Sequence, residues 1–297
     1  MVLVAGSTGM VGGEICRILA HKGRKVRALV RAAASKDMVR SLEDLGVEIV
    51  RGDVRDAASL QRACKGAKTV ISTVSSMPTR YQPGENDIAS VDDRGIKNLV
   101  DAARGAGVEA FVLTSFSPDL DFPLRNAKRE GERHLKSSGM TWTILRPSYF
   151  MEAWLSPMVG FDYEKRSVRV FGSGEKPVSY VSFRDVASIA AASLESEEAR
   201  NAILSVGGPE ALSPNEVVRI FEETAGATFS VERVPEAALA AQVREASDPM
   251  QKSFSGLMLA MAAGDAIEMG RLAARMGVSL KSVRQYAREV LPQTVRK

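Results

Sequence analysis

The first twelve residues constrain this chain more than any other stretch. Met1 to Ala5 is a short apolar run, the length of one buried strand. Glycines follow at Gly6, Gly9 and Gly12, and an amphipathic stretch then runs from Met10 to Lys22 and stops at Gly23. A strand, a glycine turn and a helix start, in that order, make an anion site. The first N–H groups of the helix have no partner within it, and the positive end of its dipole faces the same point. Gly6 permits the tight turn, Gly9 lets a pyrophosphate approach the backbone, and Gly12 lets the helix close on the strand. The spacing is GxxGxxG rather than the standard GxGxxG. Ser7, Thr8, Met10 and Val11 fall inside the same loop. A nucleotide-binding turn is predicted here.

Size and composition narrow the field. A chain of 297 residues holds one large α/β domain, or one domain with an appended lobe. The net charge is +4 and basic residues are spread along the chain, so neither a nucleic-acid stripe nor a polybasic membrane segment is expected. No apolar run reaches membrane-spanning length and no signal peptide precedes the first strand, so the expected location is cytoplasmic. Cys16 and Cys64 show no CxxC or metal-like spacing; Cys16 reads as core. His21 and His134 are the only histidines, both in helical patterns among charged residues. That argues against a Ser-His-Asp triad and against a metal site.

Strand and helix patterns alternate to about residue 146. Strands are predicted at Lys25–Arg31, Val47–Arg51, Thr69–Thr73, Ala110–Thr114 and Thr141–Arg146, with helices near 35–45, 56–65, 87–106 and 124–138. Such alternation implies a Rossmann-type, doubly wound parallel sheet with helices on both faces. Beyond residue 147 the pattern loosens: a hairpin at Gly160–Gly174, a strand at Val178–Ser182 followed by a helix at Phe183–Leu194, a strand at Ile203–Val206, a helix opened by Ser213-Pro214, a strand at Thr228–Val234, then mostly helix. The reading is a nucleotide-binding domain over 1–150 and a smaller α/β lobe over 151–297, interleaved with the sheet edge. Gly256 and Gly264 are candidate hinges or helix ends. Ligands in such sheets sit beyond the C-terminal strand ends, where strand order reverses. That places candidates at Gly6–Gly12, Arg31, Asp53, Thr73–Ser76, Thr114–Ser117 and Pro147–Phe150.

The second strand ends in Arg31, followed by Ala32-Ala33-Ala34-Ser35-Lys36, where an acidic residue would favour NAD. A guanidinium pairs with a 2′-phosphate, and Lys36 adds charge, so NADP(H) is the expected cofactor.

Several segments together resemble the short-chain dehydrogenase/reductase superfamily, and within it the NmrA-like branch that includes isoflavone-reductase-like enzymes. They are the Gly6–Gly12 loop, Val26 to Arg31, Gly52-Asp53, Asn98 to Ala103, Phe111 to Ser115, Thr143 to Pro147 with Phe150-Met151-Glu152, and Val181 to Ala187. The resemblance covers the chain to about residue 226. It implies that Asp53 and Val54 flank the adenine, that Thr73, Val74 and Ser75 line the ribose side, and that Pro147, Tyr149 and Phe150 cover the nicotinamide. It extends the cofactor set to Thr114, Ser115 and Lys128.

The wider superfamily uses a Tyr-x-x-x-Lys pair, the lysine lowering the tyrosine pKa. Here Lys128 holds the lysine position and Leu124 stands where the tyrosine should be. Ser115 and Ser117 lie near the usual serine, but Phe116 falls closer to its place. In isoflavone-reductase-like enzymes a lysine placed as Lys128 does the acid/base work. Three readings of Lys128 therefore stand: an acid/base, a holder of the ribose in a cofactor sensor without turnover, and a surface helical lysine. Met77, Tyr81, Phe116, Tyr149, Trp154, Met158 and Phe161 are the candidate lining of an apolar pocket for a small hydrophobic substrate. Arg146 is expected to serve the structure. The resemblance thus implies a reductase, or else a redox-sensing binding protein, acting as a monomer or homodimer.

Overall fold

The computed structural model describes residues 1–77 and 82–291. The N-terminal half builds a sheet from β1 (Val2–Ala5), β2 (Val26–Val30), β3 (Glu48–Arg51), β4 (Thr69–Ser72), β5 (Ala110–Thr114) and β6 (Thr141–Pro147). Its helices are α1 (Met10–His21), α2 (Lys36–Glu43), α3 (Ala57–Cys64), α4 (Ile96–Gly105) and α5 (Pro123–Lys136). Strand order is β3-β2-β1-β4-β5-β6, all parallel, so the order reverses between β1 and β4. Helices cover both faces, and the core on one side gathers Leu3, Leu60, Leu99, Phe111 and Ile144. The doubly wound parallel sheet read from the sequence is borne out. Both cysteines are buried.

One stretch departs from α geometry. Ile88–Gly95, inside the predicted helix 87–106, is wound as a π-helix that runs directly into α4. Asp87 caps its start, accepting the Ser90 N–H at 2.7 Å, while the Ser90 hydroxyl accepts the Asp87 N–H. Buried Ile88, Val91, Asp92 and Gly95 fall on one side of it.

The chain divides into two compact units. The first comprises residues 1–116, 123–146 and 186–204, and the second 117–122, 147–185 and 205–297. The first crossing near the expected boundary at 150 is at Arg146–Pro147, and the chain later returns to the first unit for most of α7 (Phe183–Ala192) and the start of β9 (Ala202–Val206), the seventh strand of the main sheet.

The second unit contains α6 (Met151–Trp154) and a small sheet of β7 (Phe161–Asp162), β8 (Ser167–Phe171) and β10 (Ser230–Val234). β7 and β8 form the expected hairpin, and β8 pairs parallel with β10. Helices α8 (Pro214–Ala225), α9 (Glu236–Glu245), α10 (Pro249–Ala263), α11 (Gly270–Arg275) and α12 (Val283–Val290) complete it. Ser213 and Glu216 form a capping box, with proline in the first turn of α8. Two expectations are corrected. Val178–Ser182 forms no ladder, only isolated bridges to Phe150, Leu212 and Asp265. Gly256 is neither hinge nor helix end but lies inside α10, where a Cβ would meet the Phe122 ring at 2.5 Å; Gly264 does end that helix.

A buried carboxylate ties this unit's C-terminal segment. Asp185 accepts the Lys281 N–H at 2.8 Å. Burial, chiefly, pushes its carboxyl up to about 6.

Candidate functional site

The glycine turn leaves β1 at the point where strand order reverses. Gly6 has φ +83°, a conformation that disfavours any side chain. At Gly12 a Cβ would run into the Gly6 carbonyl and lie 2.8 Å from the Thr73 hydroxyl. Thr73, just past β4, in turn reaches the Ala5 and Gly6 carbonyls. The turn is thus pinned against the end of β4, and this close approach is what the glycine spacing encodes. Gly9 caps α1 without a side-chain bond to its first turn, which holds no acidic residue. Gly9 and Met10 are exposed. An acid-free helix start opening to solvent fits a phosphate group. Ser7 is buried and donates to the Leu29 carbonyl, and Val11 is core, so their part is to shape the loop. Thr8 is half-buried beside them.

The Lys128 side chain, from α5, reaches the same strand end one residue further on, at Val74. On α5 the buried positions include Leu124, Ala127, Lys128, Gly131 and Leu135, one helical stripe. A lysine on such a stripe needs partners. Its Nζ donates to the Val74 carbonyl at 2.8 Å and lies 2.9 Å from Asp92 Oδ1. The carboxylate contact is an ion pair rather than an aligned hydrogen bond. Asp92 is fully buried, and its Oδ2 accepts the Ser76 N–H at 3.0 Å and the Ser76 hydroxyl at 2.5 Å. Lys128 is 4% exposed, which removes the surface-lysine reading. Asp92 is not among the candidates read from the sequence. An Asp on the apolar side of a helical pattern was the only signal, and a π-helix shifts that side.

A second cluster gathers at the ends of β2 and β3. Arg31 donates to Asn86 Oδ1 at 2.8 Å, and Arg51 donates to the Arg31 carbonyl at 3.1 Å. Asp53 is gripped by Arg55 through both oxygens at 2.9 and 2.7 Å. Burial works to raise the Asp53 carboxyl, and the Arg55 bonds with the charges of Arg55 and Arg31 outweigh it, so it lies below the usual aspartate range. Val54 is buried, its carbonyl taking the Asn98 amide. Lys36 is exposed at the start of α2. Arg55 and Asn86 were missed because neither lies in a periodic element.

Other candidates take structural places. Ser115 accepts from Arg129 at 3.1 Å within a buried network in which Arg129 and Arg146 both hold Glu132. Arg146 serves the structure as expected. Burial pushes the Glu132 carboxyl up, but the Arg146 and Ser115 bonds and the arginine charges bring it below the ordinary range. Phe116 lies under the Arg129 guanidinium, 5.9 Å from the ring centre. The Thr114 hydroxyl is buried with no partner among the described residues. Ser75 is exposed and accepts the N–H of half-buried Met77. Tyr81 lies outside the described residues.

In the second unit, Pro147 is buried and its carbonyl takes the Ser117 N–H. Asp265 accepts the hydroxyls of Ser117 and Ser148 on one oxygen. The Tyr149 hydroxyl donates to the Leu257 carbonyl at 2.9 Å, and its ring meets Trp154 edge-on, 4.9 Å between centres. Trp154 stacks on Phe254 at 5.9 Å, and both are half-buried. Phe150 is half-buried and Met158 exposed. Phe161 is buried against Phe221, 4.7 Å between centres, which makes it core.

The fold and the glycine turn at its switch point define a Rossmann-type α/β protein. The chain belongs to the NmrA-like family, whose profile matches residues 1–285. It is 31% identical over 229 residues to the NAD(P)H azoreductase of Xenophilus azovorans, covering 76% of this chain and 74% of that one. To isoflavone reductase homolog IRL of Zea mays it is 30% identical over 268 residues, covering 84% and 82%. The NADPH complex of the NADPH-dependent quinone oxidoreductase QOR2 from Escherichia coli superposes with a TM-score of 0.77 at 18% identity, covering 97% of this chain and 99% of that one. That likeness is one of fold. Among the described residues no helix is long and apolar enough to cross a membrane.

Proposed function

We propose that this protein is an NADP(H)-dependent reductase of a small hydrophobic acceptor: a quinone, an enone, a carbonyl or a benzylic ether-like compound. The observation that carries the reading is the Lys128 ammonium, buried and anchored to Asp92 and Val74 one residue beyond the Thr73 that pins the glycine turn. Gly6–Gly12 would hold the pyrophosphate, Arg31 and Lys36 a 2′-phosphate, and Thr73–Ser75 with Lys128 the nicotinamide ribose side. NADPH, when bound, supplies the hydride. Of the three Lys128 N–H groups, Val74 takes one and Asp92 attracts another. The remaining one is available to a ribose hydroxyl or to the acceptor oxygen, where it delivers the proton that balances the hydride. Asp92 and Ser76 keep the ammonium from swinging away. The azoreductase and isoflavone reductase homolog support the reductase class.

A second reading, cofactor binding without turnover, is favoured by Leu124. It is buried at the tyrosine position and offers no hydroxyl. One assay separates the two: NADPH oxidation over a panel of quinones, enones and aromatic carbonyls, with wild type, Lys128→Met, and Lys128→Met paired with Asp92→Asn to spare the fold an unpaired carboxylate. Lysine-dependent turnover of any class supports the reductase. No turnover from wild type that binds NADPH leaves the sensor.

A further inference from the structure

We infer that Arg55 is the stacking platform for the adenine base, recognising it through the flat face of its guanidinium and not through its charge. The inference rests on the NADP(H) reading above. An arginine presents a fixed face to a base when acceptors around its rim hold its N–H groups in their own plane. Arg55 is held in that way. Its Nε donates to Asp53 Oδ1 at 2.9 Å and its Nη2 to Asp53 Oδ2 at 2.7 Å, a paired, side-on contact. The third nitrogen, Nη1, donates to the Glu85 carbonyl. All three guanidinium nitrogens are thus engaged, and the carboxylates of Asp53, Glu85 and Asp87 lie close enough to act on the charge. A cation so compensated is a poor anchor for a phosphate. What it still offers is its planar faces. The Arg55 side chain is 40% exposed. Among the described residues no aromatic ring covers its guanidinium.

The mount is rigid and stands where a nucleoside would lie. Arg55 sits in the turn from β3 to α3. Its own N–H donates to Asp53 Oδ1 at 2.9 Å, and the Asp56 N–H closes the turn on the Asp53 carbonyl at 2.9 Å. The Ser59 hydroxyl, in the first turn of α3, accepts the Asp53 N–H at 3.1 Å. Asp56 caps the same helix through the Ala58 N–H at 3.0 Å. This turn follows the C-terminal end of β3, which pairs in parallel with β2, the side of the sheet where ligands lie in such folds. β2 leads into Arg31, the expected partner of the 2′-phosphate, and the charge of Arg31 acts on Asp53, so the two are neighbours. Adenine is neutral and has a π face on either side. A guanidinium of compensated charge therefore meets it by stacking, without any surplus of cations. Asp53 serves the adenine by holding Arg55 flat.

The test is calorimetric titration of NADP+ and of adenosine 2′,5′-bisphosphate, at low and at high salt, with melting curves as fold control. Wild type is compared with two variants. Arg55→Lys keeps the charge and loses the plane. Arg55→Ala paired with Asp53→Asn removes both charges together and leaves an acceptor for the turn. Each variant is expected to bind both ligands about five- to tenfold more weakly than wild type. The factor should be the same at both salt concentrations, because screening acts on charge and not on stacking. Full affinity in Arg55→Lys, a loss that high salt abolishes, or a loss confined to NADP+ would overturn the role of Arg55, while wild-type NADP+ binding upholds the cofactor reading. Failure of wild type to bind NADP+ would overturn both.

Discussion

Lys128 Nζ and Asp92 Oδ1 stand 2.9 Å apart with their side chains 5% and 0% exposed, the ammonium on α5 and the carboxylate in the π-helix. A pair so placed is costly to halve, because the surviving charge stays buried. Lys128→Met and Asp92→Ala are each expected to lose about 3–5 kcal/mol. Replacing both with apolar residues should recover much of that. Urea unfolding of the two single variants and the double variant checks the coupling; additive losses would contradict it.

The glycine turn separates folding from binding. Gly12→Ala drives a methyl into the Gly6 carbonyl, so the turn cannot close on β4. Gly9→Ala meets only the Gly6 carbonyl at 3.3 Å, and its φ of −90° suits alanine. Gly12→Ala should therefore be recovered unfolded or strongly destabilised. Gly9→Ala should melt within about 1 kcal/mol of wild type yet weaken NADPH, since its methyl occupies the phosphate approach. Melting curves and NADPH titration on both variants test the contrast.

Gly256 sets two opposing effects against each other. Alanine inside a helix gains about 1 kcal/mol over glycine. Here its methyl would press on Phe122, whose ring is fully buried, and overpacking costs about 1–3 kcal/mol. Net destabilisation is expected from Gly256→Ala. Adding Phe122→Leu should reverse part of it in thermal melts.

Asp185 gives a pH dependence of defined sign. Its carboxyl is near 6 in the fold against 3.8 unfolded, so the native state holds the proton longer. Stability is thus lost as pH rises between those values, by up to about 3 kcal/mol. Asp185→Asn keeps an acceptor for the Lys281 N–H and removes the titration. The variant should gain on wild type between pH 4 and pH 6 and hold the gain above. Urea midpoints at pH 4 and pH 7 that shift in parallel would refute this.

What could be read from the sequence was what repeats. The strand–glycine–helix start, the alternation up to Pro147 and the capped helix at Ser213 carry periodic or capping signals, and each was found. Val178–Ser182 alternates like a strand, yet its backbone partners, among them Tyr149, Gly208, Leu212 and Asp265, are scattered along the chain, a tertiary fact no local pattern holds. Lys128 was found by its place in a motif. Its partner lies 36 positions earlier (128 − 92) in a helix of unusual winding, so neither spacing nor period linked them. Arg55 and Asn86 act through a turn whose shape is set by the backbone pairing of Gln82 with Asn86. The Asp265 bonds to Ser117 and Ser148 likewise join segments far apart in the chain.

The π-helix has a consequence for how this protein can change over evolution. Asn86 immediately precedes its cap and Asp92 lies in its second half, so the residues between them set the spacing of the Arg31 contact and the Lys128 contact. Deleting a residue between them would rotate Asp92 by roughly a quarter turn about the helix axis, off the face that meets Lys128. Exposed Ala89 is free to vary in kind, but its position cannot be dropped. Length, more than composition, is what these two contacts require of this segment.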